Sequence, residues 1–142
     1  MIIKSRFQKF IILLMLLTIS GLASAKTSVS GLKCEYLYNP LGLNVSHPRF
    51  TWQIESQEEN FIQTAYEIRV ATSVTMLDQK NKLVWNSGKV NSDHSVNVEY
   101  KGKPLESQTR YFWQVRIWDN KGITSGWSEP AWWETALVIS VP

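Results

Sequence analysis

The chain has 142 residues, with 15 basic against 12 acidic side chains and a single cysteine. Lys4, Arg6 and Lys9 are the only charged residues of the first 25, so without that segment the charges balance at 12 against 12. Such a balance leaves no electrostatic footprint for nucleic acid or an anionic membrane, and one cysteine excludes an internal disulfide.

Residues 1–25 read as a signal peptide. The three basic residues come first, Phe10 to Ile19 is almost wholly apolar, and Ala23 and Ala25 give the small-x-small pattern that a signal peptidase accepts. Cleavage after Ala25 is expected, with export to the periplasm or beyond and no membrane association afterwards. Cys34 follows Lys33, not a small residue, and lies well past the apolar run, which argues against a lipid-carrying signal. Residues 26–142 are enough for one two-layer core and form a single expected domain.

Helical periodicity is missing from this remainder, and short runs of β-branched and aromatic residues alternate instead with turn residues. The first predicted strand covers Leu32 to Leu37 and ends at Asn39, Pro40 and Gly42. The second, Arg49 to Ile54, sets Phe50, Trp52 and Ile54 on one face, and the third, Gln63 to Thr72, sets Tyr66, Ile68 and Val70 opposite Glu67 and Arg69. Leu83 to Trp85 and Ser95 to Tyr100 are short strands near sheet edges. The longest, Arg110 to Trp118, points Tyr111, Trp113, Val115 and Ile117 inward and Phe112, Gln114, Arg116 and Trp118 outward. The last begins after Pro130, with Ala131, Trp133 and Thr135 on one face and Trp132 and Glu134 on the other. The fold class is therefore all-β, a fibronectin type III-like (immunoglobulin-like) antiparallel β-sandwich of about seven strands.

Leu105, six residues ahead of Tyr111, predicts a tyrosine corner in which the phenol bonds a backbone group upstream. Arg69 and Arg116 are placed to stack with Trp118 and Trp127 as a cation–π ladder. Trp118 and Trp132 face outward, and large outward aromatics mark a contact surface for a neighbouring domain or a platform for a sugar ring. Asp119, Glu129 and Glu134 are the nearest approach to a carboxylate cluster and read as turn and surface residues, so no catalytic residue is assigned. His47, His94 and Cys34 share no metal-ligand spacing and there is no glycine-rich phosphate loop, so neither metal nor cofactor is implied. Cys34 reads as a small apolar packing residue.

An ordered series of motifs runs through the chain: Asn39-Pro40-Leu41-Gly42, Pro48-Arg49-Phe50-Thr51-Trp52, Gln63-Thr64-Ala65-Tyr66-Glu67-Ile68, Trp85-Asn86-Ser87-Gly88-Lys89-Val90, Arg110 to Asp119 and Trp127 to Glu134. From Gly31 to Leu137 this series resembles the N-terminal domain of bacterial α-L-rhamnosidases. The resemblance implies a longer, multidomain secreted glycoside hydrolase that removes terminal α-L-rhamnose with inversion, using carboxylates of a downstream helical barrel that have no matching positions here. It points to an accessory, non-catalytic N-terminal module, in a truncated chain without the barrel, with the neighbouring domains as partners. The competing reading is a free-standing secreted carbohydrate-binding or adhesion module.

Overall fold

The computed structural model describes residues 27–137, so the expected signal segment with its cleavage point after Ala25 and the tail 138–142 lie outside the described residues. Among the described residues there are eight strands, in chain order β1 (Ser28–Cys34), β2 (Arg49–Glu55), β3 (Gln63–Ala71), β4 (Trp85–Asn86), β5 (Val90–Asn91), β6 (Val98–Glu99), β7 (Arg110–Asp119) and β8 (Ala131–Glu134). One sheet has the order β1-β2-β6. The other runs β4-β3-β7-β8, with β5 also paired to β3. Every pairing between these strands is antiparallel.

The two-residue alternation of the sequence decides which side chains fill the space between the sheets. Along β7, Tyr111, Trp113, Val115 and Ile117 are buried while their neighbours are half-exposed. Phe50 and Trp52 enter from β2, Ile68 and Val70 from β3, and Trp133 from β8. Phe50 packs against Trp113 with ring centroids 4.4 Å apart and against Trp133 at 5.4 Å. Truncating a fully buried tryptophan of this kind costs about 3–5 kcal/mol. The buried indole N–H groups of Trp113 and Trp133 have no hydrogen-bond partner, and in this aromatic setting ring faces are the weak acceptors at hand. The Trp52 indole instead donates to Gln63 Oε1 at 3.2 Å, and Gln63 Nε2 donates onward to the carbonyls of Ser92 and His94.

The observed strands differ from the predicted ones at four places. β1 starts at Ser28 and stops at Cys34, because Glu35 and Tyr36 have φ of 49° and 66° and turn the chain tightly between Cys34 and Leu37. The predicted strand from Leu32 to Leu37 thus overran a hairpin turn. The segment predicted from Ser95 to Tyr100 keeps only the two residues of β6, and the one from Leu83 to Trp85 is displaced to Trp85–Asn86. The eighth strand, β5, was not foreseen. It pairs with Ala65 and Tyr66 of β3 while β4 pairs with Arg69 and Val70 of the same edge.

The interruption between β4 and β5 follows a rule used three times. Ser87 Oγ accepts the Ile68 N–H at 2.8 Å and donates to the Gly88 carbonyl, standing where a ladder carbonyl would. Ser125 does the same for Ile117, donating to Gly126, and Ser128 for Val115, donating to Glu129. Gly88 and Gly126, at φ of 63° and 77°, supply the left-handed step after two of these serines. The segment 125–128 therefore tracks β7 without being a regular strand, and this carries Trp127 over the outer face of the sheet.

Candidate functional site

The outer face of the five-stranded sheet is built around Trp127. Arg69, from β3, lies with its guanidinium 4.0 Å from the Trp127 ring centre, and Arg116, from β7, lies 4.6 Å from it. Arg116 also contacts Trp118 at 5.0 Å, and Lys89 reaches Trp118 at 4.8 Å. The expected cation–π ladder is present. Its cations are tied down: Arg69 donates to Gln114 Oε1 at 2.6 and 3.0 Å and pairs with Asp78 at 2.8 Å, and Arg116 pairs with Glu67 at 2.6 Å. The outward residues of β3 are consequently covered, Arg69 being only 9 % exposed.

Trp118 and Trp132, the two proposed contact residues, do not share one platform. Trp132 stands opposite Phe112 in the β7–β8 register, and Trp118 is six residues further along β7, about 20 Å at strand rise. Trp132 carries the Arg110 guanidinium 3.9 Å from its ring centre. Both indoles are half-buried and already hold a cation of the same chain.

The tyrosine corner is also in place. The Glu106 N–H donates to the Tyr111 phenol oxygen at 2.8 Å, and the Tyr111 ring stacks on Trp133 at 5.2 Å. Cys34 is 1 % exposed, and burial, with the Glu35 charge adding to it, pushes its thiol up to about 12.

Two carboxylates of the candidate cluster are placed far apart. Asp119 Oδ1 accepts the Lys121 and Ile123 N–H groups and closes the turn after β7, whereas Glu134 pairs with Arg110 at 3.0 Å at the other end of the same strand. Nine residues of strand separate these sites, roughly 30 Å, against the ~6.5–9.5 Å that inverting glycoside hydrolysis requires. Glu129 is exposed on the segment leading into β8. Among the described residues no group of three or more His, Cys, Asp or Glu side chains is placed to hold a metal ion. None of their helices is long and apolar enough to cross a membrane.

Two of the surface grooves among the described residues are the roomiest of those given by the structure. One, of about 420 Å3, lies between the 43–47 and 102–105 loops with Thr135 at its base. The other, of about 390 Å3, opens between the edge strands and includes Tyr66, Trp85, His94 and Asn97. Neither brings two carboxyl groups together.

Residues 29–139 match the family model of the Rha78A-like, N-terminal immunoglobulin domain. The chain belongs to this family. It is 51 % identical over 104 residues to an α-L-rhamnosidase of Streptomyces avermitilis and 41 % identical over 100 residues to one of Formosa agariphila, matches that take in 73 % and 70 % of this chain. In both cases it spans only about 10 % of the relative's length. Among solved structures, the S. avermitilis α-L-rhamnosidase complexed with L-rhamnose aligns with a TM-score of 0.74 at 48 % identity, over 78 % of this chain and 10 % of that one. The α-L-rhamnosidase from Dictyoglumus thermophilum aligns with a TM-score of 0.75 at 40 % identity, over 80 % and 13 %.

In this Rha78A-like immunoglobulin domain, the feature that sequence reading missed is the path of residues 39–43. The Trp132 N–H donates to Asn39 Oδ1 at 3.0 Å, the Glu134 N–H to the Pro40 carbonyl at 2.9 Å, and the Leu43 N–H to the Glu134 carbonyl at 2.9 Å. The Asn-Pro-Leu-Gly motif, read as a turn that ends a strand, runs instead along the free side of β8 and covers a sheet edge. Its only signal in the sequence was a polar Asn beside proline and glycine, which marks many turns and specifies no partner.

Proposed function

We propose that the chain supplies the accessory, non-catalytic sandwich at the N-terminal side of an exported α-L-rhamnosidase-type glycoside hydrolase, with the neighbouring domains of that enzyme as its partners. The observation that carries this reading is the family match across 29–139, nearly the whole described domain, set beside relatives of which it makes up about a tenth. The wide separation of Asp119 from Glu134 supports a role other than catalysis. Export is supported by the basic start, apolar run and Ala23-Ser24-Ala25 of the first 25 residues, and N-terminal sequencing of a secreted product should begin at Lys26.

Incubation of the purified chain with an aryl α-L-rhamnoside tests the catalytic part. No rhamnose should be released even at high protein concentration. Turnover abolished by Glu129→Gln or Glu134→Gln and retained by Glu58→Gln would overturn the reading.

A further inference from the structure

The described chain leaves the sandwich through a narrow passage. The Thr135 N–H donates to the Thr109 carbonyl at 3.0 Å, the Ala136 N–H to the Leu43 carbonyl at 2.9 Å, and the Ala136 carbonyl accepts the Gln108 N–H at 3.1 Å. Position 137 therefore emerges between the loop after Leu43 and the loop before Arg110. The 420 Å3 groove lies at this same exit, lined by Leu43, Val45, Pro104, Leu105 and Thr135 among others.

Apolar side chains stand exposed on its lining and on the chain just outside it, Val45 in the lining, Leu41 two residues before Leu43 and Leu137 two residues after Thr135. Leu41 is 66 % exposed, Leu137 59 % and Val45 39 %, while Leu43 and Leu105 are half-buried against the core. Leu41 is no loose tip, because Pro40 just before it and Leu43 two residues after it are both hydrogen-bonded to Glu134 of β8. Exposed apolar side chains grouped together and rimmed by polar residues are the mark of a surface shaped to be covered.

We propose that the exit face formed by Leu41, Val45 and Leu137 around this groove is the surface on which the next domain of an α-L-rhamnosidase polypeptide docks. This rests on the accessory-module reading. The tether identifies the occupant. In the relatives about nine-tenths of the polypeptide lies outside the matched domain, and a domain tethered beyond position 137 is presented to this face at effective concentrations on the order of millimolar for a short connection. At that concentration a modest apolar contact is enough to hold two domains together, and interfaces within one chain are of this modest kind. The ladder face has its aromatic rings already engaged with cations, and the far end of the sandwich, which exposes Ile62 and Ile123 near the Lys121–Glu58 ion pair, is where β1 begins and not where β8 leads out.

The test grafts this domain in place of the matched segment of the S. avermitilis enzyme and follows protease cleavage at the junction after Leu137. Leu41→Asp and Val45→Asp should each speed that cleavage by roughly tenfold or more, the loss expected for one buried aliphatic contact. Both should leave urea unfolding of the 142-residue chain alone unchanged, since their side chains already meet solvent there, and Ile62→Asp should leave the junction unchanged. Equal cleavage of the Leu41→Asp and unsubstituted grafts, or sensitivity to Trp132→Ala in their place, would overturn the docking face and leave the module reading intact. A dimer of the isolated chain dissolved by Leu41→Asp would assign the face to a second copy and overturn it as well. An unsubstituted graft no better protected than the enzyme with the segment deleted would instead refute the module reading itself.

Discussion

Replacing Tyr111 by Phe removes one oxygen and keeps the ring that stacks on Trp133. The loss then falls mainly on the bond from the Glu106 N–H, with a side-chain hydrogen bond to Thr109 beside it. A hydrogen bond of this sort contributes about 0.5–1.5 kcal/mol net, and a donor left wholly buried would cost about 1–3 kcal/mol. Glu106 as a residue is exposed, so water can reach its amide in part, and the lower range decides: about 1 kcal/mol. Thr135 Oγ1 still donates to the Glu106 carbonyl at 2.6 Å in the variant, which keeps the loop in place and limits the damage. With a urea slope of about 1.5 kcal/mol/M, the midpoint of tryptophan-fluorescence unfolding should fall by about 0.7 M, and Tm by about 4 °C. Phe112→Tyr, on the half-exposed outer face of the same strand, should change the midpoint less. An unchanged midpoint and slope for Tyr111→Phe would show that the corner bond contributes nothing and that the ring alone does the work.

Arg69→Ala should destabilise the domain by about 2–3 kcal/mol, because it removes a stack on Trp127 and two bonds to Gln114 at a site closed to water. Arg69→Lys should recover only part of this, since an ammonium cannot reproduce the planar fork; full recovery in urea titrations would refute the stacking account. Cys34, with its thiol pushed up to about 12, should resist iodoacetamide at pH 8 in the folded chain and react once urea unfolds it, and alkylation at equal rates in both states would contradict its burial. Glu35 is held below the usual carboxylate range by its side-chain hydrogen bonds from Arg49, against a smaller opposing effect of burial. Its contribution to stability is therefore complete above the ordinary glutamate value of about 4.3 and lost as pH falls through the lower folded value. Glu35→Gln should flatten the acid side of a stability-versus-pH curve, and an unaltered curve would rule the pairing out as its source.

The faces of β2, β7 and β8 were legible because each strand spends its apolar residues on alternate positions, and a one-residue slip would expose all of them. The corner and the ladder were legible for a related reason: Tyr111, Arg116 and Trp118 sit on a strand whose register the alternation already settles. What escaped were places where side chains take over the backbone's work. Ser87, followed by glycine, looks like the close of a strand, yet its hydroxyl continues the ladder along β3 and β5 forms where an end was expected, while Ser125 does the same beside β7. Tyr36 and Leu37 misled in the opposite direction, having strand composition while standing 52 and 55 % exposed in and at the close of a hairpin turn. The exit face was hidden because it joins residues near 41, 104 and 137, whose proximity no local pattern encodes.

The bond from Trp132 to Asn39 joins residues 93 positions apart, and the neighbouring bonds from Glu134 to Pro40 and Leu43 are of similar span. Closing such distant pairs must wait on the loop entropy of the whole intervening chain, which slows folding relative to structures made from local contacts. A nascent chain emerging in order would have β1, β2 and their hairpin available long before the one segment able to cap residues 39–43. Until about residue 136 is released, the 39–43 stretch and the outer side of β7 stay unpaired, a period in which a holding chaperone has the most to protect. The same order would suit the export proposed above, in which a chain has to stay unfolded while it is threaded through a membrane, since the element that locks the sandwich is the last of it to arrive.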